Sequence, residues 1–390
     1  MTSKWMYVFC EDDERWKRLV IREHKGDFRF KGSWKRTCLM ARDKDASLRA
    51  PPVIRADGFY SPYMYELYYR SNVDLDYFRT IPKESVDRRH NLTPDEFARD
   101  YLIPNKPVVV SGSLQHWRAV TEWTFEKLNA KYGDVKFKTD EVDHEKHKFK
   151  MRFSDYVEYM RAQHDEDPIY MFDPCFNERA PPLLNDYETP RYFPEDLFAV
   201  LGRNRPDYMW LVIGPARSGS PFHIDPYKTS AWNAVLEGRK RWLLYPPDVD
   251  PPGVPIEDDS DDGIDYDAPE PIKYLIEEYP KALLTKPPME IIMGPGELIY
   301  VPSGWWHMVL NIDDCIAVTQ NFCATANFDW VINDMKLPSN KKIFKRFRTK
   351  LAPIRPDLAR LHNFEHFHYQ AGRLPPRPTE DTSSSSSSSD

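Results

Sequence analysis

The hydrophobic pattern between residues 208 and 322 is typical of closely spaced β-strands. Short runs rich in Val, Ile, Trp and Tyr alternate there with Gly and Pro. Runs of this kind predict strands, and a succession of them predicts an antiparallel sandwich or barrel. We predict eight strands, at residues 208–213, 223–225, 231–236, 241–245, 290–293, 298–301, 307–311 and 316–322. One interruption, at residues 257–270, has eight acidic residues in fourteen and predicts a solvated loop.

Helical periodicity precedes this region. Three segments space their apolar residues at helical intervals: residues 13–24, 123–132 and 154–163. Gly133 is a favourable stop for the second of them. A further helix is predicted to begin after Thr93, which acts as its cap, with Pro94 at the first position and Glu96 three residues after the cap.

A basic helix is predicted beyond residue 329. Residues 341–350 contain six Lys or Arg and no acidic residue, and one face of this helix is apolar: Ile343, Phe344, Phe347 and Leu351. The apolar stripe could pair two subunits as a homodimer, or it could pack on its own core. We predict that the basic face of this helix is a solvated surface. Binding of nucleic acid by this face is the weaker alternative.

These patterns divide the chain into five segments. The first is a helical segment rich in aromatic residues, and the second is a linker with a Tyr-rich connection. The third holds the strands at 208–323, and the last two are a helical region and a low-complexity serine tail that we expect to be disordered. Their predicted bounds are residues 1–50, 51–90, 91–330, 331–372 and 373–390.

Composition narrows the class of protein. The chain has 390 residues, of which 41% are hydrophobic and 29% charged, so it can bury a sizeable core. We expect no membrane association, because no apolar run approaches the ~18 residues of a membrane span. Five cysteines without a CxxC pair predict neither a disulfide framework nor a zinc site, and favour the cytosol or nucleus. A net charge of −7 argues against a protein built mainly to coat nucleic acid.

Two short motifs carry metal-ligand chemistry. With 11 His and 61 acidic residues, roughly two His-x-Asp/Glu triplets arise by chance, and the chain has two, at His164 and His223. The first lies in a polar loop. The second lies at a strand entrance, where His223 and Asp225 share a face, and His307 is the best candidate for a third ligand. Two histidines and one carboxylate with open positions suit a non-haem Fe(II) oxygenase.

A lysine and several polar residues lie on the same predicted strands. Alternation puts Lys240 on the inward face with Trp242, where an ammonium is costly unless an anion, such as a dicarboxylate cosubstrate, meets it. The alternative is a hairpin end where this lysine reaches water. The Thr319 hydroxyl could bind the same carboxylate, and Asn321 and Asn233 could orient the ligands or the cosubstrate.

Five motifs together resemble the JmjC oxygenases, and within them the group of arginine demethylases and lysyl hydroxylases once called the phosphatidylserine-receptor group. The motifs are FHIDP at 222–226, TSAWN at 229–233, GRKRW at 238–242, VPSGWWH at 301–307 and AVTQNF at 317–322. The order and spacing of the five motifs make the resemblance specific, and it covers about residues 91–328.

The resemblance implies a mainly β fold, a double-stranded β-helix of the jelly-roll or cupin-like kind with flanking α-helices. It implies Fe(II) bound by His223, Asp225 and His307. It also implies 2-oxoglutarate held by Lys240 and Thr319, with contributions from Asn233 and from the hydroxyl of Ser220. Three tryptophans are expected to form a dry apolar wall around the site: Trp232, Trp242 and Trp306.

The N-terminal residues resemble the end of an F-box, as found in F-box/JmjC proteins. The similar motifs are ERWKRL at 14–19 and KGDFRFKGSW at 25–34. The leading half of an F-box is absent. A non-catalytic, cupin-like adaptor of a ubiquitin ligase is therefore an alternative function.

The function expected from these features is that of a 2-oxoglutarate-dependent dioxygenase. An acidic protein with an acidic loop near the site favours basic substrates. With the resemblance, this predicts hydroxylation of lysine in Lys/Arg-rich nuclear proteins, such as splicing factors or histones. Removal of N-methyl groups from Arg or Lys by the same chemistry is the alternative, and the site residues do not separate the two.

Overall fold

The computed structural model describes residues 4–43, 57–142, 148–259 and 263–364. Its α-helices in these ranges are α1 (Lys4–Cys10), α2 (Asp13–His24), α3 (Trp34–Arg42), α4 (Pro62–Ser71), α5 (Pro94–Phe97), α6 (Ala119–Glu122), α7 (Phe125–Tyr132), α8 (Phe153–Ala162), α9 (Phe176–Arg179), α10 (Pro271–Glu277), α11 (Tyr279–Thr285), α12 (Phe328–Met335), α13 (Lys341–Leu351) and α14 (Pro356–Leu361). None of the described helices combines the length and the apolar character needed to cross a bilayer.

The strands in the same ranges follow in chain order. They are β1 (Asp87–His90), β2 (Val108–Ser111), β3 (Lys136–Val142), β4 (Lys148–Arg152), β5 (Met171–Asp173), β6 (Met209–Gly214), β7 (Gly219–His223), β8 (Ser230–Glu237), β9 (Lys240–Tyr245), β10 (Ile256–Asp259), β11 (Gly263–Tyr266), β12 (Met289–Met293), β13 (Glu297–Val301), β14 (Trp306–Asn311) and β15 (Cys315–Phe322).

Two sheets form the core of the fold. The large sheet has the order β1-β2-β13-β8-β15-β6-β5-β3-β4, and the small sheet has the order β12-β9-β14-β7. All their pairings are antiparallel except that of β1 with β2. Four strands of the large sheet, β13, β8, β15 and β6, face the four of the small sheet. This is the predicted jelly-roll arrangement with flanking helices, and the fold class is confirmed.

Strand alternation fills the space between the sheets. One apolar cluster takes residues of both sheets: Val109, Ala231, Val235, Ile299 and Val301 from the large sheet, and Trp242, Leu244, Ile291, Met293 and Val309 from the small one. Successive side chains point to opposite faces of a strand, so the neighbours of these residues point outward. Gly238 has φ of +76° in the β8–β9 turn, where an added Cβ would lie 2.2 Å from the Asp314 carbonyl oxygen.

The outer face of the large sheet carries the N-terminal helices. Trp34 of α3 is 1% exposed and its ring packs against Phe28, Phe30 and Tyr159. These side chains belong to one cluster with buried residues of α7, of α8 and of the outer face of the large sheet. The segment that resembles the end of an F-box therefore shares a core with the sheet, and its F-box character stays a prediction.

A second helical layer lies at the C-terminal end. The predicted apolar stripe of α13 is buried, with Phe344, Phe347 and Leu351 fully covered and Ile343 half-buried. They pack on α12, α14 and the turn at Leu197–Asn204. The stripe thus packs on its own core, which is one of the two predicted alternatives, and a homodimer through the C-terminal helices stays a prediction.

The predicted helices and strands are found, with three differences. The strand expected at 223–225 is β7, which ends at His223, so Asp225 lies beyond it. The acidic segment expected as a loop contains the β10–β11 hairpin. Gly133 follows α7 as predicted, but in a right-handed conformation. The serine tail and residues 365–372 of the predicted C-terminal region lie outside the described residues, as does most of the predicted linker.

The burial of α13 generates a stability prediction. Leu351→Ala should lower the free energy of unfolding by about 2–5 kcal/mol, because it leaves a cavity in a packed cluster. Leu284→Ala, at an 88% exposed position of α11, should change it by less than about 0.5 kcal/mol. Urea unfolding followed by tryptophan fluorescence measures both. Equal effects of the two substitutions would show that the C-terminal helices do not share in the stability of the core.

Candidate metal centre and cosubstrate pocket

Two histidines meet across the small sheet. β7 pairs with β14 so that His223 lies directly opposite His307, with ring centroids 4.1 Å apart. The two backbones approach closely at Gly219, where an added Cβ would lie 2.0 Å from the Val309 carbonyl oxygen. A side chain at that position would push the two strands apart. The sequence thus brings the two rings together through the pairing of two strands far apart in the chain.

Asp225 reaches the same point from the turn after β7. The backbone of Asp225 is extended, and a short 3-10 turn at Pro226–Lys228 follows it. Thr229 donates a hydrogen bond to the Pro226 carbonyl oxygen at 2.9 Å and accepts one from the Asn321 amide at 3.0 Å. These bonds tie the turn to β15. The carboxylate is therefore placed by a fixed turn rather than by strand alternation.

The three side chains form a compact donor cluster. One ligand atom each of His223, Asp225 and His307 lie within 4.8 Å of one another, and no other group of three such side chains occurs among the described residues. Asp225 Oδ2 is 4.0 Å from His307 Nε2. His164, in the other His-x-Glu triplet, is not part of such a group.

Hydrogen bonds fix which nitrogen of each ring is free. His223 Nδ1 lies 2.8 Å from the Pro221 carbonyl oxygen, and His307 Nδ1 lies 3.1 Å from that of Trp305. A carbonyl oxygen only accepts, so each Nδ1 carries the proton and each Nε2 keeps a lone pair. Burial, with a smaller contribution from His223, lowers the pKa of His307 to about 4, against the opposing charge of Asp225. A neutral imidazole is the form that binds a metal.

The cluster fits a divalent metal ion. Asp225 Oδ2 is buried and has no hydrogen-bond partner in the part of the chain that the structure describes, which is costly for a carboxylate oxygen unless a cation meets it. Two neutral imidazoles and one carboxylate, with other positions open, are the donor set of non-haem Fe(II) oxygenases. The three residues predicted from the sequence are brought together.

Lys240 is buried inside the fold, as predicted. Its side chain is fully covered, and Nζ donates hydrogen bonds to Tyr170 Oη at 2.9 Å and to Asn311 Oδ1 at 2.6 Å. Both partners are neutral, and no ion pair among the described residues includes Lys240. The next residue, Arg241, is equally buried but contacts the Glu290 carboxylate at 2.5 Å. Of these two buried cations, Lys240 is the one that lacks an anion.

Two of the residues around Lys240 were not predicted. Asn311 lies four residues after His307 on β14, so alternation alone placed its side chain inward with that of His307. Its amide donates to Ser218 Oγ at 2.9 Å, which turns Oδ1 toward the ammonium. Tyr170 precedes the short strand β5, and no pattern in the sequence marks it.

The other predicted cosubstrate residues lie on the inner faces of the strands. Thr319 and Asn233 are cross-strand partners on β15 and β8, and Asn233 Oδ1 is buried without a hydrogen-bond partner. The Thr319 hydroxyl donates to the Trp232 carbonyl oxygen at 2.8 Å. A β-bulge in the β7–β14 pair places Ser220 opposite Val309, which faces inward. Asn321 is buried but is engaged by Thr229.

The expectation of a wall of three tryptophans is wrong for two of them. Trp242 faces inward, with its ring stacked on that of His307 at a centroid distance of 6.1 Å. Trp232 packs on the outer face of the large sheet against Trp117 and Phe193. Trp306 packs on the outer face of the small sheet against Tyr266. The reason is that successive side chains of a strand point to opposite faces. Each of these two tryptophans is next to an inward-facing residue and therefore points outward.

Comparison with known proteins matches residues 94–328 to the family described as cupin-like domain. "Lysine-specific demethylase JMJ21" of Arabidopsis thaliana is 43% identical over 339 residues, which cover 85% of this chain and 35% of that protein. "Arginine-specific demethylase JMJ22" of the same plant is 38% identical over 345 residues, 87% of this chain and 66% of that protein. This chain therefore spans about a third of the first relative and just under two thirds of the second.

A third relative aligns over most of both chains. "Bifunctional arginine demethylase and lysyl-hydroxylase psr-1" of Caenorhabditis briggsae is 37% identical over 313 residues, 78% of this chain and 75% of that protein. The resemblance predicted from the five motifs is confirmed by these matches. Because the family match covers more than half of the chain, the chain belongs to the cupin-like family, in its JmjC group.

Proposed function

We propose that this protein is an Fe(II)- and 2-oxoglutarate-dependent protein oxygenase. One observation carries the proposal: a two-histidine, one-carboxylate cluster shares the interior of the fold with a buried ammonium that has no anionic partner among the described residues. When bound, the metal and the cosubstrate activate O2 and oxidise a C–H bond, while 2-oxoglutarate is converted to succinate and CO2.

The roles of the protein's own residues follow from their placement. His223, Asp225 and His307 hold the metal, with both ring orientations fixed by backbone carbonyls. Trp242 covers His307 on the inner face and excludes water there. Lys240 and Leu244 are four residues apart on β9, and Leu244 is the cross-strand partner of His307. The backbone of Lys240 is therefore about 13 Å from that of His307 along the strand direction. A small dicarboxylate is the ligand that we place between the ammonium and the metal.

The polar residues of the inner faces complete the cosubstrate pocket. Lys240 receives the distal carboxylate, and the Thr319 hydroxyl rotates from the Trp232 carbonyl oxygen to donate to it from the opposite sheet. The N–H donors of the Asn233 amide and the Ser220 hydroxyl bind or orient the cosubstrate near the metal. Asn321 acts through Thr229 on the turn that carries Asp225. Tyr170 and Asn311 hold the ammonium in place.

The proposed substrates are basic proteins, and the proposed reaction is hydroxylation of lysine. The chain carries a net charge of −7, and its acidic segment lies next to the small sheet, with Tyr266 at the end of β11 packed against Trp306. Such a field favours Lys/Arg-rich peptides, as in histones or splicing factors. A nuclear location is proposed on the same ground, and psr-1 bears the name of a lysyl hydroxylase.

Removal of N-methyl groups is the second candidate function. The names of JMJ21 and JMJ22 describe lysine- and arginine-specific demethylases, which favours this reaction. Hydroxylation of an N-methyl carbon gives a hemiaminal that releases formaldehyde, so the same site residues serve both reactions. A non-catalytic adaptor is disfavoured, because a cupin scaffold that only binds other proteins does not require three metal-ligand side chains at one point.

Removal of one ligand tests the metal centre. His307→Ala should weaken Co(II) binding by more than about 100-fold, because loss of a direct ligand costs more than the 10- to 100-fold of an outer hydrogen-bond partner. Isothermal titration calorimetry with Co(II) under anaerobic conditions measures the affinity. His164→Ala is the matched control and should bind Co(II) like the parent. The assignment is wrong if His307→Ala keeps the parent affinity, and an adaptor role gains support if the parent itself binds no metal.

Removal of the Lys240 ammonium should weaken the binding of the cosubstrate and leave metal binding unchanged. Lys240→Met should weaken 2-oxoglutarate binding by about 10- to 100-fold, the range for loss of one charge-assisted hydrogen bond. Co(II) affinity should stay at the parent level. The measurement is a titration of 2-oxoglutarate into the Co(II)-loaded protein. Exposed Lys106→Met serves as control, and an undiminished 2-oxoglutarate affinity in Lys240→Met would rule out the proposed role.

Mass spectrometry separates the two reactions. Basic peptides, methylated and unmethylated, are incubated with the protein, Fe(II), ascorbate and 2-oxoglutarate. We expect an unmethylated lysine to gain the mass of one oxygen atom. Loss of a methylene mass together with formaldehyde would instead establish the demethylase. Neither product should form with His307→Ala.

A further inference from the structure

Helix α4 presents an unusual solvent face. At 3.6 residues per turn, Tyr65, Tyr68, Tyr69 and Glu66 share one side of the helix, which we call the tyrosine face. The three tyrosines are 66%, 68% and 48% exposed. Met64 and Leu67, on the opposite side, are half-buried. A solvated helix usually covers this side with charged residues, so three exposed aromatic rings indicate a contact surface.

Two of these rings are arranged as a stack. Tyr65 and Tyr69 lie one helical turn apart, with centroids 6.5 Å apart and planes inclined by 8°. Nearly parallel exposed rings offer flat faces to a planar cation. A guanidinium stacks on such faces better than an ammonium, because it is planar and more weakly hydrated.

The charge beside the tyrosine face is negative. Arg70 contacts three carboxylates, those of Glu66 at 3.6 Å, Glu166 at 2.5 Å and Glu277 at 2.6 Å. Three negative charges and one positive charge leave these four side chains at −2. Arg70 itself is largely covered, whereas Glu66 and Glu277 are exposed by 58% and 39%. The partner that this surface attracts is therefore cationic.

The tyrosine face lies on the flank of the sheet that carries the metal cluster. The chain continues from α4 through Val73, Leu75 and Phe78, which pack on the outer face of the small sheet in the cluster that includes Phe222 and Trp306. Phe222 and Trp306 adjoin His223 and His307 in sequence. The acidic hairpin β10–β11 packs on the same cluster through Tyr266. The segment that follows α4 and the end of β11 thus pack on one apolar cluster beside the strands that carry the two histidines.

We propose that the tyrosine face is a docking site for arginine-rich peptide segments, separate from the metal cluster. Its place in substrate recognition rests on the proposed oxygenase function, but the binding itself does not. The guanidinium groups stack on Tyr65 and Tyr69, and the excess carboxylates neutralise them. Phosphates of a nucleic acid would be repelled by the same carboxylates. A two-fold interface between copies would set this negatively charged patch against an identical patch.

Fluorescence anisotropy with a labelled arginine-rich peptide of about twelve residues tests the docking site. The full-length chain is used in the His307→Ala background, so that binding does not depend on the metal cluster. Tyr65→Ser with Tyr69→Ser should weaken binding by at least about fivefold, from the loss of two cation–π contacts. Tyr65→Phe with Tyr69→Phe keeps both rings and should keep the affinity. Glu66→Gln should weaken binding, and a lysine peptide of equal charge should bind less tightly than the arginine peptide.

Three results would overturn the proposal. The first is an arginine-peptide affinity that the paired serine substitutions leave unchanged. The second is a dimer in sedimentation velocity that these substitutions dissociate, which would make the face a self-interface. The third is tighter binding of an oligouridylate than of the peptide, lost in the same variants. Failure of the oxygenase function appears separately, as a parent protein that consumes no 2-oxoglutarate while peptide binding persists.

Discussion

The pairing of β7 with β14 is the contact on which the site depends. It sets His223 opposite His307, and its bulge turns Ser220 toward the same interior. The close approach at Gly219 admits no side chain, so the two strands stay near enough for both rings to face one ion. The third ligand is added by a turn directly after β7, held to β15 through Thr229 and Asn321. The geometry therefore rests on backbone pairing rather than on side-chain packing alone.

The space between the two sheets contains apolar side chains together with polar groups whose burial is energetically unfavourable. Trp242, Leu244 and Val309 fill the space between the sheets with apolar surface. Lys240 and Asn233 lie on the inner faces of the same sheets, one an ammonium without an anion and the other with an oxygen that lacks a partner. Buried polar groups of this kind destabilise a fold that has no ligand for them. A cosubstrate carboxylate that meets the Lys240 ammonium stabilises the folded state by mass action.

Much of the fold and the ligand set follows from sequence patterns, and the failures have physical causes. Short strands bounded by Gly and Pro located the core, and alternation placed Lys240 inward. Applied to Trp232 and Trp306, the same rule would have removed both from the predicted wall, since Asn233 and His307 beside them face inward. It would also have identified Asn311 as an inward-facing residue. Two features had no local signal. Tyr170 reaches Lys240 from a segment distant in sequence, and Asp225 enters the site from a turn beyond the strand. Both result from tertiary placement, which periodicity does not encode.

The most direct measurement is a crystal structure of the protein grown anaerobically with Fe(II) and 2-oxoglutarate. We expect one metal ion bound by the Nε2 atoms of His223 and His307 and by the Asp225 carboxylate. We also expect a cosubstrate carboxylate in contact with Lys240 Nζ. A metal bound at other residues, or 2-oxoglutarate bound without contact to Lys240, would contradict it.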